Sequence, residues 1–370
     1  MQVVPETHAR RRAALRASLQ NADQDLRLDA VLVTNLLNVR YLTGFTGSNA
    51  ALLVAIGGDG ESLFCTDARY QSQGAAQVPD LRQVIDRACD VALAAAAKQA
   101  GCRRLGFDSS HVTVDGLTGL TAAAEGCELV RAPGLVERLR VVKDDGEIEA
   151  LRMACSAADA ALADLLTNGG IAPGRTELEV AHELEGRMRD YGARGPSFES
   201  IVAAGANSAV PHHRPTNATL RQGDLLKLDF GALVDGYHSD MTRTVVLGEP
   251  ADWQRELYEL VAAAQAAGCA ALRSDAGVRE VDAAARSVIE SAGYGDQFMH
   301  GLGHGVGLEI HEAPMLAKVG EGKLSAGMTV TVEPGVYLAG RGGVRIEDTL
   351  VVRDEAPELL TLTTKQLVVV

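Results

Sequence analysis

The sequence predicts two domains, an α/β domain followed by an α+β domain that contains an internal duplication. Segments with strand character alternate with helical segments over roughly the first 108 residues, which is typical of α/β folds. In the remainder of the chain, the order of two helices followed by strands occurs twice, and each repeat carries a pair of acidic residues. A length of 370 residues agrees with about two domains.

The predicted first domain covers residues 1–138 and begins with an amphipathic helix at 6–22. Short apolar segments predict its strands, and the Ala-rich segment 86–100 predicts a further helix. The strands are expected at 29–34, 50–56, 62–66, 81–85 and before 106–108. The segment 38–47 is rich in turn formers and aromatic residues, and it is expected to be a loop, either at the edge of the core or with a functional role.

The predicted second domain covers residues 139–370, and its boundary with the first lies within a charged linker at 134–146. Alanine and leucine at helical spacing predict four helices, and Thr176 with Glu179 forms a capping-box pattern at the start of the second of them. These helices are expected at 147–168, 176–192, 253–273 and 278–292. A strand is expected at 198–204.

The segment 223–244 is the most informative part of the second domain. Its alternating pattern at 225–230 predicts a strand that carries Asp229, and an Asp-Gly pair further along predicts a hairpin turn. The returning strand is expected to bring Asp240 beside Asp229. Two poorly solvated carboxylates that lie close together require a compensating positive charge, which suggests a metal ion.

A second copy of this pattern lies near the C-terminus. Residues 327–335 match 223–231 in outline, with Glu333 in the place of the first acid. A further acid follows in each copy, Asp240 in the first and Glu347 in the second, and each of these is followed two residues later by threonine. We therefore infer a duplication in which each copy carries two acids on paired strands.

Three histidines lie between the two copies, in a glycine-rich segment at 300–311. Four carboxylates and an imidazole are more than one small ion usually needs, whereas two divalent ions bridged by carboxylates suit them. The alternative is a set of strand-edge acids that are solvated or paired with nearby arginines. These arginines are Arg243, Arg341 and Arg345.

In combination, five motifs resemble those of the pita-bread metallopeptidases, the group with methionine aminopeptidase, Xaa-Pro aminopeptidase and Xaa-Pro dipeptidase (prolidase). The motifs are Asp-Phe-Gly, Ser-Asp-Met-Thr-Arg, His-Gly-Leu-Gly-His, Val-Glu-Pro-Gly and Arg-Ile-Glu-Asp. They carry five residues that match the family's metal ligands in identity and order: Asp229, Asp240, His304, Glu333 and Glu347. The resemblance covers nearly the whole chain. It implies an α/β creatinase-like N-terminal domain followed by an α+β pita-bread catalytic domain with internal pseudo-two-fold duplication.

The resemblance also implies a mechanism with two divalent ions per subunit. Asp240 and Glu347 would bridge the ions, Asp229 would bind one of them, and His304 with Glu333 would bind the other. A hydroxide between the ions would attack the peptide carbonyl, and Glu333 would carry the proton to the leaving amine. Four hard carboxylates favour Mn2+, with Co2+ or Zn2+ as alternatives.

Three further histidines, His212, His300 and His311, resemble the family's outer histidines and are expected to be catalytic. Such groups hydrogen-bond the substrate carbonyl and stabilise the oxyanion. His212 and His311 are therefore also expected to bind substrate. His213 and His238 match no motif position and are expected to have structural roles.

Tyr337 and Arg345 also match family positions near the site. Tyr337 is expected to bind substrate. Arg345 is expected either to be catalytic or to serve as a structural counter-charge to Glu347, since a guanidinium fork suits both roles. The sequence leaves these two readings of Arg345 equal.

The expected activity is hydrolysis of the Xaa-Pro bond of dipeptides, with an Xaa-Pro aminopeptidase acting on longer peptides as the alternative. One departure bears on this choice. Prolidases usually carry, at the position of Met315, an arginine thought to bind the free carboxylate of a dipeptide. Arg341, Arg214 or an arginine of the first domain could take over that role.

Two other classes share the fold that the resemblance implies. Creatinase is a metal-free amidinohydrolase that lacks the full set of acids, so five intact ligands argue against it. A catalytically silent pseudo-peptidase that binds other proteins is the third reading, but such proteins lose ligands and often carry charged tails, and this chain does neither.

The composition narrows the range of partners. A net charge of −14 and a pI near 5.1 argue against nucleic acid or an anionic membrane as a partner. Residues 1–26 lack the apolar core of a signal peptide. The six cysteines form no Cys-x-x-Cys pair, which suits reduced thiols in the cytoplasm. The resemblance adds a homodimer, in which the first domain shapes the substrate pocket, often that of the neighbouring subunit.

Overall fold

A computed structural model of the chain describes residues 5–20 and 27–370. The chain divides into two compact units, of which the first ends at Arg140 and the second is Val141–Val370. Part of the segment 1–26, including positions 21 and 22 of the predicted first helix, lies outside the described residues. None of the helices in the described part has the length and the apolar character that crossing a bilayer requires.

The first unit is an α/β layer structure built on a six-stranded sheet with the order β4-β3-β2-β1-β5-β6. Strand β1 pairs antiparallel with β2 and parallel with β5, so the sheet is mixed. The strands are β1 Ala30–Val33, β2 Ala50–Ala55, β3 Leu63–Thr66, β4 Arg82–Ile85, β5 Arg104–Phe107 and β6 Glu128–Arg131. The helices are α1 Pro5–Gln20, α2 Leu36–Thr43, α3 Gln71–Gln77, α4 Cys89–Gln99, α5 Val114–Ala123 and α6 Leu135–Arg140.

The prediction of a loop at 38–47 is wrong for most of that segment, because α2 runs through it. The side chain of Asn35 caps the helix by accepting hydrogen bonds from the N–H groups of Leu37 and Asn38. Gly44 ends the helix with a φ of 79°, in the left-handed region that suits glycine. Tyr41, one of the aromatic residues that suggested a loop, lies on the buried face of this short helix together with Val39 and Leu42.

The second unit begins with the two predicted helices and a group of strands. Helix α8 starts with the predicted capping box, in which Thr176 accepts from the N–H of Glu179 and the Glu179 carboxylate accepts from the N–H of Thr176. The helices are α7 Asp145–Thr167 and α8 Glu177–Asp190. The strands are β7 Gly195–Pro196, β8 Ile201–Ala204, β9 Leu225–Phe230, β10 Ala232–Val234, β11 Tyr237–His238 and β12 Met241–Val246.

The C-terminal half of the unit repeats this order of helices and strands, as the sequence predicts. Its helices are α9 Asp252–Ala271 and α10 Val278–Ser291. Its strands are β13 Gly303–Gly305, β14 Glu312–Leu316, β15 Thr329–Val332, β16 Gly335–Leu338, β17 Gly342–Arg345, β18 Asp348–Val351 and β19 Glu358–Leu359. Strand β9 pairs with β12 in the first copy and β15 with β18 in the second, and in each copy a hairpin lies between the two strands in sequence. Gly223 and Gly327 precede the two copies with nearly equal φ angles of 87° and 89°.

The register of the first copy is the one that the predicted hairpin turn gives. Asp235 and Gly236 form a turn with positive φ angles of 48° and 75°; the turn joins β10 to β11, and the pairing of β9 with β12 continues in the same register. Across the β9–β12 pair, Asp229 lies opposite Thr242, and Asp240 precedes β12 by one residue. Because side chains alternate along a strand, Asp240 and Thr242 still share one face, so the two acids remain near each other.

A buried ion pair between Arg243 and Asp348 connects the C-terminal segment of the chain to strands β12 and β18. The Asp348 carboxylate is fully buried and accepts hydrogen bonds from Arg243 at 2.7 Å and from Gln265 and Lys365 at 2.8 Å. Burial opposes the charge of this carboxylate, but the cations Arg243 and Lys365 hold the pKa of Asp348 below its ordinary value. Arg243 also donates to two carbonyl oxygens of the final segment. The pair therefore joins β12, β18 and the C-terminal residues.

Replacing Asp348 by alanine should destabilise the second unit, because the substitution leaves the buried guanidinium of Arg243 without its carboxylate. Removing one partner of a buried pair typically costs about 3–5 kcal/mol. Trp253 is the one tryptophan of the chain and lies in the second unit, so its fluorescence during urea unfolding measures the effect. The exposed Asp354 supplies the control, since Asp354→Ala should change the free energy of unfolding by less than about 0.5 kcal/mol. Equal stabilities of the two variants would contradict this account.

Candidate metal centre

The four predicted acids and His304 line one cavity of about 300 Å³ in the second unit. Each comes from the end of a strand or lies next to one, so rigid backbone holds all five. Asp229 lies in β9, Asp240 directly precedes β12, His304 lies in β13, Glu333 follows β15, and Glu347 precedes β18. The duplicated strand pairs thus bring together acids that are more than 100 residues apart in the sequence.

Asp240, His304 and Glu347 form the centre of this group. One potential ligand atom from each of the three lies within 4.8 Å of the others. The Nε2 atom of His304 lies 3.5 Å from Oδ2 of Asp240 and 3.5 Å from Oε1 of Glu333. Asp240 and Glu347 are buried, with 4% and 2% of their surface exposed.

The hydrogen bonding of His304 defines which ring nitrogen faces the acids as an acceptor. Its Nδ1 atom lies 3.0 Å from the carbonyl oxygen of Gly305, and only a protonated Nδ1 can donate to that oxygen. Burial lowers the pKa of His304 to about 4, so the ring is neutral and Nε2 carries a lone pair. A lone pair that points at two carboxylates is unfavourable unless a cation lies between them. The arrangement therefore suits a metal ion.

The protein supplies too little positive charge to neutralise the acids of the cavity. Burial and the neighbouring carboxylates raise the pKa values of Asp240 and Glu347 well above their ordinary range. Burial, with a contribution from the charge of Asp229, raises the pKa of Glu333 to about 8. Within the described residues, the buried Oδ1 atom of Asp229 has no hydrogen-bond partner. These features fit hard divalent cations, which prefer carboxylate ligands.

Arg345 lies behind the acids and is almost fully buried, with 2% of its surface exposed. It forms an ion pair with Asp229 and donates to the hydroxyls of Thr242 at 3.0 Å and Tyr337 at 2.7 Å. Thr242 in turn donates to Glu347 at 2.7 Å. Of the two readings left open by the sequence, the counter-charge fits these contacts better, although the direct partner is Asp229 and not Glu347.

His300 and Tyr337 lie in the layer behind the cavity and are not among the residues that line it. Nδ1 of His300 donates to the carbonyl of Gly301 at 2.8 Å, and Nε2 then accepts from the hydroxyl of Tyr337 at 2.8 Å. Burial lowers the pKa of His300 to about 4, so the ring is neutral. Both ring nitrogens are therefore engaged within the protein, and the arrangement leaves no donor on either side chain for the predicted contacts with substrate.

His212 and His311, by contrast, are exposed to the cavity. The ring of His311 packs edge-on against that of His304, with 4.4 Å between the ring centroids. The two histidines that were expected to be structural have protein partners: Nε2 of His213 lies 2.8 Å from Glu177, and Nδ1 of His238 lies 2.8 Å from the hydroxyl of Ser197.

Sequence reasoning missed the residues that hold the loop carrying His212. The fully buried Lys227 donates through Nζ to three carbonyl oxygens of this loop, at 2.6–3.2 Å. The fully buried Glu177 accepts from the N–H of Ala204 and, further along the loop, from the side chains of Asn207, His213 and Thr216 and from the N–H of Thr216. The position of Lys227 on the same strand face as Asp229 was a usable signal. The contacts of Glu177 are too distant in sequence for any local pattern to predict them.

Comparison with known proteins agrees with the site. Residues 149–354 match the model of metallopeptidase family M24, and residues 11–142 match the creatinase/prolidase N-terminal domain. An Xaa-Pro dipeptidase from Pyrococcus furiosus is 33% identical over 342 residues, which cover 92% of this chain and 95% of that protein.

Solved structures show the same likeness. The Xaa-Pro dipeptidase from Bacillus anthracis is 39% identical, with a TM-score of 0.93 over 98% of this chain and 100% of that one. An X-Pro aminopeptidase from Thermotoga maritima is 32% identical, with a TM-score of 0.86 over 93% of this chain and 98% of that one. The chain therefore belongs to metallopeptidase family M24 and is a metal-dependent hydrolase of its Xaa-Pro dipeptidase and aminopeptidase group, with a creatinase-type domain before the pita-bread catalytic domain.

Proposed function

We propose that the protein is an Xaa-Pro dipeptidase that works with two divalent metal ions. The observation that carries this proposal is the convergence of four acids and one histidine lone pair on a single cavity with too little positive charge around it. Membership of the Xaa-Pro group supports the choice of peptide bond. Four carboxylates favour Mn2+ as the ion, and Co2+ or Zn2+ are the alternatives.

Five residues would hold the ions. Asp240 and Glu347 would be shared between the two sites, Asp229 would complete one, and His304 with Glu333 would complete the other. Ions bound there would supply Lewis acidity toward the peptide carbonyl and activate a water for attack. The remaining contributions come from the protein itself.

His212 and His311 are exposed to the cavity and can donate hydrogen bonds to the substrate carbonyl as negative charge develops on its oxygen. Glu333 has 17% of its side chain exposed, and its carboxyl is the group proposed to pass a proton to the leaving amine. The proline nitrogen of an Xaa-Pro bond carries no N–H, so the site needs no acceptor for that atom.

His300, Tyr337 and Arg345 are proposed as positioning residues. The hydrogen bonds run from Arg345 to Tyr337, from Tyr337 to His300, and from His300 to the carbonyl of Gly301. These hydrogen bonds fix the guanidinium that pairs with Asp229. They therefore act on the reaction through the orientation of Asp229, a proposed metal ligand.

The proposal also covers the domain bounds, the oligomeric state, the cellular location and the substrates of the protein. Residues 1–138 are assigned to the creatinase-like domain and residues 139–370 to the catalytic domain. The family resemblance supports a homodimer located in the cytoplasm, and the mass of the protein in solution distinguishes a dimer from a monomer. Proline-containing peptides are the proposed substrates.

An aminopeptidase acting on longer peptides is the second candidate, and Met315 is the observation that favours it. Met315 lies in β14 opposite His304 and has 59% of its surface exposed. A methionine there cannot bind the free carboxylate that distinguishes a dipeptide from a longer substrate.

Asp240→Ala should lower the metal content of the purified protein and abolish nearly all activity on Ala-Pro, since it removes a shared ligand. Elemental analysis of the wild-type protein should give about two divalent ions per chain. Asp190→Ala, at an exposed position on α8, is the matched control and should behave as wild type. Full activity after exhaustive chelation would refute the metal-dependent mechanism.

His212→Ala and His311→Ala should each keep the metal content but lower kcat by about a hundredfold, because each removes one donor to the developing oxyanion. His182→Ala, on the exposed side of α8, controls for the loss of an imidazole. Steady-state kinetics together with elemental analysis distinguish the loss of an oxyanion donor from the loss of bound metal. Unchanged kcat in both variants would return these histidines to structural roles.

The choice between the two activities follows from comparing kcat/KM for Ala-Pro and Ala-Pro-Ala. A dipeptidase should cleave Ala-Pro faster, by about tenfold or more, because only the dipeptide places its carboxylate within the site. If the tripeptide is cleaved at least as well, the protein is an aminopeptidase. Cleavage of Ala-Ala without cleavage of either proline peptide would refute the specificity for proline.

A further inference from the structure

The cavity has one cationic side chain at its surface. The residues that line it include five acids and four histidines, and Arg214 is the only lysine or arginine among them in the described part of the chain. The side chain of Arg214 is 83% exposed, so its guanidinium is accessible from the cavity. Lys227, Arg243 and Arg345, which lie on strands beside the acids, are buried and do not line the cavity.

Arg214 projects from backbone that is fixed on both sides. The residue before it, His213, binds the buried carboxylate of Glu177 through Nε2 at 2.8 Å. Thr216, two residues after it, binds the same carboxylate through its N–H at 3.0 Å and its hydroxyl at 2.7 Å. Pro215 follows directly and restricts the backbone of Arg214 to extended conformations. The backbone on either side of Arg214 is thus held by Glu177, while the exposed side chain can adopt other rotamers.

The current partner of Arg214 can be replaced. Its Nε atom lies 3.4 Å from the carboxylate of Glu199, whose side chain is 66% exposed. Exposed pairs of this kind contribute little to stability, because water and salt screen them. A carboxylate brought into the cavity by a ligand can therefore take the place of Glu199 on the guanidinium, which binds carboxylates in a bidentate manner.

We propose that Arg214 binds the free α-carboxylate of a dipeptide substrate and so selects dipeptides over longer peptides. This inference rests on the proposed Xaa-Pro dipeptidase function. A substrate carboxylate is bound best by a charged hydrogen-bond donor, and among the described residues that line the cavity Arg214 is the one lysine or arginine. A longer peptide places its carboxylate about 3.5 Å further away for each added residue, and presents an uncharged amide to Arg214 instead.

Arg341, a second arginine that could have filled this role, is placed elsewhere. Its guanidinium stacks on the ring of Trp253 at 4.1 Å from the centroid, and it does not line the cavity. Arg341 therefore serves as the matched control for Arg214.

The test compares Ala-Pro with Ala-Pro-amide, which differ only in the charge of the C-terminal group. In the wild-type protein, kcat/KM should be higher for Ala-Pro. Arg214→Ala should raise KM for Ala-Pro by about tenfold or more, with kcat nearly unchanged, since it removes a charged hydrogen-bonding partner. KM for the amide should change by less than about twofold in this variant. Arg214→Lys should give an intermediate KM for Ala-Pro, because lysine keeps the charge but loses the fork.

Two further variants sharpen the result. Glu199→Gln should lower KM for Ala-Pro, since it removes the carboxylate that competes for Arg214, and Arg341→Ala should leave both substrates unaffected. Equal effects of Arg214→Ala on Ala-Pro and on its amide, or no effect on either, would overturn the inference and leave the proposed function intact. A wild-type protein that cleaves no proline peptide would overturn the proposed function, and the inference with it.

Discussion

Four carboxylates repel one another around one cavity, and the surrounding part of the second unit is arranged to hold them there. Next to the acids, the protein supplies buried cations from behind: Arg345 pairs with Asp229, and Arg243 pairs with the residue that follows Glu347. Both arginines are 2% exposed, so these charges act at close range in a poorly solvated region. They do not balance Asp240, whose pKa stays far above its ordinary value. The excess of negative charge is thus directed into the cavity, where divalent cations can neutralise it.

The duplication matters because the two copies support each other's acids. Thr242 of the first copy donates to the carboxylate of Glu347 in the second at 2.7 Å. Thr349 of the second copy donates to the backbone oxygen of Asp240 in the first at 2.8 Å. The threonine that recurs two residues after each later acid therefore reaches across to the opposite copy. One acid of each copy is thus held in part by a donor that the other copy supplies.

Local sequence patterns predicted the repeated elements of the fold and left out features that depend on distant contacts. The capping box at Thr176 and the acids of both copies were predictable, because their signals lie within a few residues. The interruption of the two strands before Asp240 was not, since it depends on β7, which joins β10 and β11 in a separate sheet. Helix α5 was not predicted either, because Gly116 and Gly119 weaken its helix propensity. Sequence alone could not reveal that both ring nitrogens of His300 are bonded within the protein, whereas His212 lines the cavity.

Substitutions at the rear of the cavity should destabilise the fold more than substitutions at the front. At the rear, Arg345, Lys227 and Glu177 are buried and bonded to several partners, so replacing any one leaves another group without its partner and lowers stability. At the front, Arg214 and Met315 are exposed and bonded weakly or not at all to the protein core, so exchanging them costs the fold little. A catalytic apparatus can therefore stay constant while the residues that recognise the far end of a peptide change. On this view, the cation that meets a substrate carboxylate need not occupy the same position in every member of the group, and its replacement at 315 is compatible with a dipeptidase once the loop at 212–216 supplies another.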